Sequence, residues 1–130
     1  MSRPYADAMT ETRTLVIKST SGADRPEAAN LALTVAAAAV AAGAEVSLWL
    51  TGEASWFALP GRAATLTLEH AAPLADLLDV VLEAGQVTLC TQCAARRDIG
   101  PDDVIAGVRI AGAPTFVDEV LAPGAQALVY

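Results

Sequence analysis

The sequence predicts a single three-layer α/β domain of about five mainly parallel strands with helices on both faces. Three observations carry this. Its 130 residues suit one domain. Short aliphatic runs alternate along the chain with stretches of helical spacing. The first two strand-like runs are separated by a long alanine-rich segment, which leaves no room for a hairpin and implies a parallel pair with a right-handed crossover.

Residues 1–12 read as a flexible polar lead-in and 13–130 as the domain. RTLVIKST (13–20) is the first strand. In the loop SGADRPE, Asp24 is placed to cap the next helix, Pro26 suits its first turn, and Glu27 completes a capping box. That helix runs from about Arg25 to Ala42 and stops at Gly43. AEVSLWLT (44–51) is a second strand, GEASWFALPG a short helix, and AATLTLEHAA an extended connection. Leu74, Leu77, Leu78, Val81 and Leu82 recur at helical spacing between Pro73 and Gly85. QVTLC (86–90) is a third strand, and TQCAARRDIG opens another helix. PDDVIAGVRIAG holds a short helix, begun by Asp102-Asp103, and a fourth strand around Val108–Ile110. APTFVDEVLAPG is a last helix and AQALVY a last strand.

Composition narrows the partners. Hydrophobic residues make up 54% but aromatics only 5%, so the apolar content is mostly Ala, Val and Leu. That is more than a small core needs, and the surplus predicts burial between subunits. A net charge of −7 makes nucleic acid and anionic membrane surfaces poor partners. The run LALTVAAAAVAAGA is too short and too alanine-rich to span a bilayer. MSRPYADAMTETRT lacks the apolar core of an export signal, so a cytoplasmic, reducing compartment is expected.

In that compartment VTLCTQCAARRDIG stands out, with Cys90 and Cys93 three residues apart. Ligands of open parallel sheets bind beyond the strand carboxyl ends, at the point where strand order reverses. A strand order 2-1-3-4-5 would put Ser19, Thr20, Ser21 and Gly22 beside Cys90. Cys90 ends a strand, whereas Cys93 falls in the first turn of a helix whose dipole favours a thiolate. Arg96 and Arg97 follow Cys93 at helical spacing and can reach the same face. Both effects make a thiol nucleophilic; the alternative is a pair of buried structural cysteines. Two Cys and one His fall short of the ligands a zinc site needs, so no metal and no cofactor are expected. His70 lies on the same sheet edge as Cys90 but reads as a loop residue. The Ser19–Gly22 loop could hold an anion by backbone N–H groups, and Glu53 suits a helix start.

In its SGADRPEAA, AEVSLWLTGEAS, PLADLLDVVLEAG, VTLCTQCAARRDIG and DDVIAGVRIAGA segments, taken in order, the chain resembles the DsrE/DsrF-like family of small sulfur-handling proteins. The resemblance covers nearly everything from Thr14 to Tyr130. It implies a flavodoxin-like fold, assembly into homotrimers or homohexamers, and a sulfurtransferase or sulfur-carrier role with a donor or acceptor protein. In sulfur-relay members a cysteine after the third strand carries a persulfide and is followed six and seven residues later by Arg-Arg. Cys90, Arg96 and Arg97 match that spacing, so the resemblance gives Cys90 the nucleophile role. Cys93 departs from the relay pattern and suggests a resolving thiol. A non-catalytic oligomeric binding module and a Cys-x-x-Cys thiol–disulfide switch are the alternatives.

Overall fold

The structure, a computed structural model, describes residues 12–130. The expected lead-in therefore lies outside the described residues, except for Thr12. The chain runs through strand β1 (Thr14–Ser19), helix α1 (Pro26–Ala41), strand β2 (Glu45–Leu50) and a 3₁₀ helix (Gly52–Ala58). A short 3₁₀ turn (Ala63–Thr65), helix α2 (Leu74–Ala84), strand β3 (Gln86–Cys90) and helix α3 (Thr91–Arg96) follow. Strand β4 (Val108–Ala111), helix α4 (Ala113–Val120) and strand β5 (Ala125–Val129) complete it. Among the described residues no helix is long and apolar enough to cross a membrane.

All five strands are parallel, as the alternation predicts, but their order is β4-β3-β2-β1-β5 rather than 2-1-3-4-5. Strand β2 therefore stands between β1 and β3, and the Ser19–Gly22 loop is not the immediate neighbour of Cys90. The reversal falls between β1 and β5. Handedness accounts for the layers. Right-handed crossovers that keep stepping one way lay their helices on one face. Helices α1 and α2 accordingly pack against each other. The step from β4 back to β5 puts α4 on the opposite face, where Phe116 meets Trp49.

The main core lies under α1 and α2. Ile17, Leu48 and Val87 form a row across three strands, facing Leu33, Leu78 and Val81. Ala29, Ala32 and Ala36 are fully buried on one side of α1; small side chains there let the helix approach the sheet closely. Every residue of β2 from Val46 to Leu50 is buried, as expected of a central parallel strand covered on both faces.

Two local expectations fail for identifiable reasons. Asp24 does not cap α1: its carboxylate accepts from the Gly22 N–H at 2.8 Å and closes a loop turn instead, leaving Arg25 as the N-cap residue. Residues 101–107 form turns, not a helix. Asp103 accepts from the Gly100 N–H at 2.7 Å, and the Ile105 N–H is committed to Ala58 O at 2.9 Å. Asp102 stays exposed on that turn.

Helix α4 has no fully buried residue, so its attachment leans on polar contacts. Glu119 accepts hydrogen bonds from Ser47 Oγ, from Trp49 Nε1 at 3.0 Å and from Arg109 Nη2 at 2.6 Å. Arg109 also donates to Thr88 Oγ1. The Phe116 ring stands edge-on to Trp49, with centroids 5.3 Å apart, and carries the Lys18 ammonium 4.4 Å above its face. Burial pushes the Glu119 carboxyl up, but the hydrogen bonds from Ser47, Trp49 and Arg109 and the arginine charge outweigh it, and its pKa falls below the ordinary value. A group depressed in the folded state stabilises the fold above its unfolded pKa and loses that contribution as pH drops through the folded one. Glu119→Gln should therefore lower stability at neutral pH by about 2–3 kcal/mol. Its urea midpoint should also fall less on acidification than the wild-type midpoint. Parallel pH dependences for the two proteins would show that Glu119 is not the group responsible.

Candidate thiol site at the strand carboxyl edge

Parallel pairing brings the exits of β1, β2 and β3 onto one edge of the sheet, in spatial order β3, β2, β1. The β2 exit is the hinge of this edge. Thr51 donates both its backbone N–H and its hydroxyl to Ser19 O, each at 2.9 Å. Gly52 then takes a left-handed conformation, φ +53°, that favours glycine. A Cβ on Gly52 would lie 2.7 Å from Thr20 O, and one on Gly22 would lie 2.4 Å from Glu53 O. The two exits interlock through glycines because no larger residue fits at either point.

This packing aims the Gly52 N–H at β3's exit, where it donates to Cys93 Sγ at 3.3 Å. Cys90, at the end of β3, is half-buried; Cys93, one turn into α3, is only 8% exposed. Both are free thiols. Arg97 donates from Nη2 to Glu53 Oε2 at 2.8 Å and from Nη1 to Cys93 O at 3.2 Å. One salt bridge thus ties the β2 exit to α3. Trp56 lies between two guanidinium groups, Arg62 at 4.6 Å and Arg97 at 5.9 Å from its ring centroid. Ser55 is fully buried; its hydroxyl makes no hydrogen bond of ordinary geometry, yet it lies close enough to the Cys93 sulfur to favour the thiolate.

These contacts set the protonation of Cys93. Burial pushes the thiol up. The Gly52 N–H, a hydrogen bond from Cys90, the charge of Arg97 and the Ser55 hydroxyl together outweigh it, and the net shift is downward. The helix dipole invoked from sequence is a small part of this, since α3 is only six residues long. The anion is held chiefly by a neighbouring strand exit.

Of the residues singled out from sequence, the structure gathers Cys90, Cys93, Arg97 and Glu53. Arg96 is exposed on the outer side of α3 and has no ion pair among the described residues. Ser19, Ser21 and Gly22 are buried behind the Gly52 turn, one segment removed from the sulfurs. Thr20 turns the other way, with its N–H and hydroxyl both donating to Tyr130 O. His70 is exposed with φ +58°, in a loop that Asn30 fastens to α1 through Ala72 O. It makes no hydrogen bond to either cysteine among the described residues. Nor do the described residues include a group of three or more His, Cys, Asp and Glu arranged to hold a metal ion. Sequence reasoning missed the Gly52 N–H and Ser55, because nothing in the local sequence says that β2 and β3 are neighbours.

Comparison with known proteins agrees with this architecture. The family model described as the DsrE/DsrF-like family matches residues 14–129. Among solved structures, the ychN protein from E. coli superposes with a TM-score of 0.65 at 16% identity, covering 92% of this chain and 100% of that one. MTH1491 from Methanobacterium thermoautotrophicum, a protein of unknown function, gives 0.67 at 9% identity with the same coverage. At such identities the likeness is one of fold. A search of curated proteins gives no significant match.

The electrostatics make a direct prediction. In wild-type protein the Cys93 thiol should alkylate with a pH midpoint below that of an ordinary thiol, read by peptide mass spectrometry with a small haloacetamide. Arg97→Gln and Cys90→Ala should each move that midpoint upward, because each removes a group that favours the anion. Unchanged midpoints in both variants would mean that neither side chain acts on the thiol.

Proposed function

From the membership of this chain in the DsrE/DsrF-like family, we propose a sulfur-handling protein that accepts sulfane sulfur as a persulfide on Cys90 at the end of the third strand. The observation that carries the reading is the pairing of a half-exposed thiol with a buried, acidified one on the carboxyl edge of a parallel sheet. That edge is where ligands of such sheets enter. Cys90 is the thiol an incoming donor can reach. Cys93, the more buried of the two, has a lowered pKa to which Cys90 contributes, and can take up the Cys90 proton as the nucleophile forms. Arg97, bound to Glu53, places positive charge beside the pair.

The same reading includes a homo-oligomer in the cytoplasm. Helix α4 carries Val117, 45% exposed, and ends at Leu121, 76% exposed, while edge strand β5 carries Val129, 64% exposed. A helix with one apolar side and no buried residue is suited to cover by further copies of the chain. Light scattering on the wild type should give the mass of a trimer or hexamer. Leu121→Lys with Val129→Lys should give a folded monomer; a monomeric wild type would sink this part.

The persulfide is tested directly. After exposure to a small-molecule persulfide, mass spectrometry should find one added sulfur, about 32 Da, on Cys90. The adduct should disappear in Cys90→Ser. An adduct that survives that substitution, or none under any donor, would leave the non-catalytic binding module as the better account.

A further inference from the structure

The position of Cys93 bears on what becomes of the sulfur. We propose that Cys93 resolves the Cys90 persulfide from below, releasing hydrosulfide, so that the protein converts a sulfane sulfur to sulfide instead of passing it on intact. This rests on the Cys90 persulfide reading and adds the product.

Loading and release both balance without an outside oxidant. A small persulfide R–S–SH gives its outer sulfur to the Cys90 thiolate, forming Cys90–S–SH and expelling RS⁻, which leaves as RSH with the proton that Cys93 took from Cys90, so that Cys93 is again a thiolate. The Cys93 thiolate then attacks the inner sulfur, Cys90 Sγ. The new bond is Cys90–S–S–Cys93, the Cys90–SH sulfur bond breaks, and its electron pair leaves with HS⁻. The two cysteines supply the two electrons that reduce the sulfane sulfur. A dithiol reductant, oxidised in turn to its disulfide, returns the pair to thiols for another round.

Geometry selects the inner sulfur. The Cys93 sulfur is pinned by the Gly52 N–H at 3.3 Å and is 8% exposed, on the protein side of Cys90. Cys90 is the side chain of the pair that solvent reaches, and its thiol is among the groups that act on the Cys93 sulfur. Displacement needs the leaving sulfur opposite the attacking one, so an attack from the buried thiol calls for a leaving sulfur on the exposed side of Cys90. One helical turn also sets the two residues within the Cα span that a disulfide bridges, about 4.4–6.8 Å. Hydrosulfide is a weaker base than an alkyl thiolate and so leaves more readily. The contacts that lower the Cys93 pKa make its thiolate easier to reach than that of an ordinary thiol.

The experiment loads wild type, Cys93→Ser and Cys93→Ala with N-acetylcysteine hydropersulfide and removes excess donor. It then follows adduct mass, bimane-trapped hydrosulfide and the Cys90–Cys93 disulfide. Circular dichroism identifies any variant that has not folded. In wild type the adduct should decay with one equivalent of hydrosulfide per chain, leaving a chain two hydrogens lighter than the reduced form. In the two variants the adduct should persist roughly ten-fold longer or more, without hydrosulfide. A wild-type adduct as durable as the variants', or one that migrates to Cys93 without sulfide, would overturn resolution and leave the persulfide reading intact. A wild type that takes no sulfur on Cys90 and releases no hydrosulfide would remove both.

Discussion

The approach of the β2 exit to its neighbours on either side is the contact on which the rest of the thiol site depends. On one side Gly22 and Gly52 let two backbones come within distances that exclude a Cβ. On the other side that closeness leaves the Gly52 N–H free of the sheet ladder and aimed at a sulfur. A backbone donor in a packed turn stabilises an anion without the entropy cost of ordering a long side chain. Glu53, the next residue, orients Arg97, so two successive residues of one turn supply both the donor and the anchor of the positive charge. A shift of that turn would disturb the Gly52 donor and the Glu53 anchor of Arg97 at once.

Much of the fold was legible because parallel strands buried on both faces advertise themselves as aliphatic runs, and because Gly43 and Gly85 mark helix ends. Strand order was not legible. Its determinant is which crossover turns back across the sheet, and that choice depends on how α4 docks. The docking contacts are Glu119 with Ser47 and Trp49, partners about seventy residues apart that no local pattern links. The misplaced Ser19–Gly22 loop follows from this one error. Asp24 and Asp103 show a second limit: a carboxylate near a helix start caps whichever N–H the turn presents, and here those belong to Gly22 and Gly100.

Two ionisable networks among the described residues lie on different parts of the sheet and do different work. Around Glu119, charge is fully partnered: three donors meet one carboxylate, and Arg109 is shared with Thr88. Such satisfaction fixes α4 in place where apolar burial is lacking. Around Cys93 the partners are weaker donors to sulfur, one is itself a thiol, and the Ser55 hydroxyl is not otherwise bonded. A group held by several modest contacts can change its bonding during a reaction at modest cost. This difference separates a structural network from one suited to chemistry.

Electrostatics at the mouth of the site also bear on what can approach it. The whole chain carries −7, which would repel sulfur anions at a distance. That repulsion is screened beyond roughly 8 Å at physiological ionic strength, so the nearest charges decide. Arg97 is paired with Glu53 and acts on Cys93 through its position. Arg62, stacked on Trp56, and the exposed Arg96 have no carboxylate partner among the described residues. These guanidinium groups are local cations that the acidic net charge of the chain does not cancel at short range. An extended polyanion would feel the acidic surface along its whole length, whereas a short anion feels only the charges within a Debye length of it.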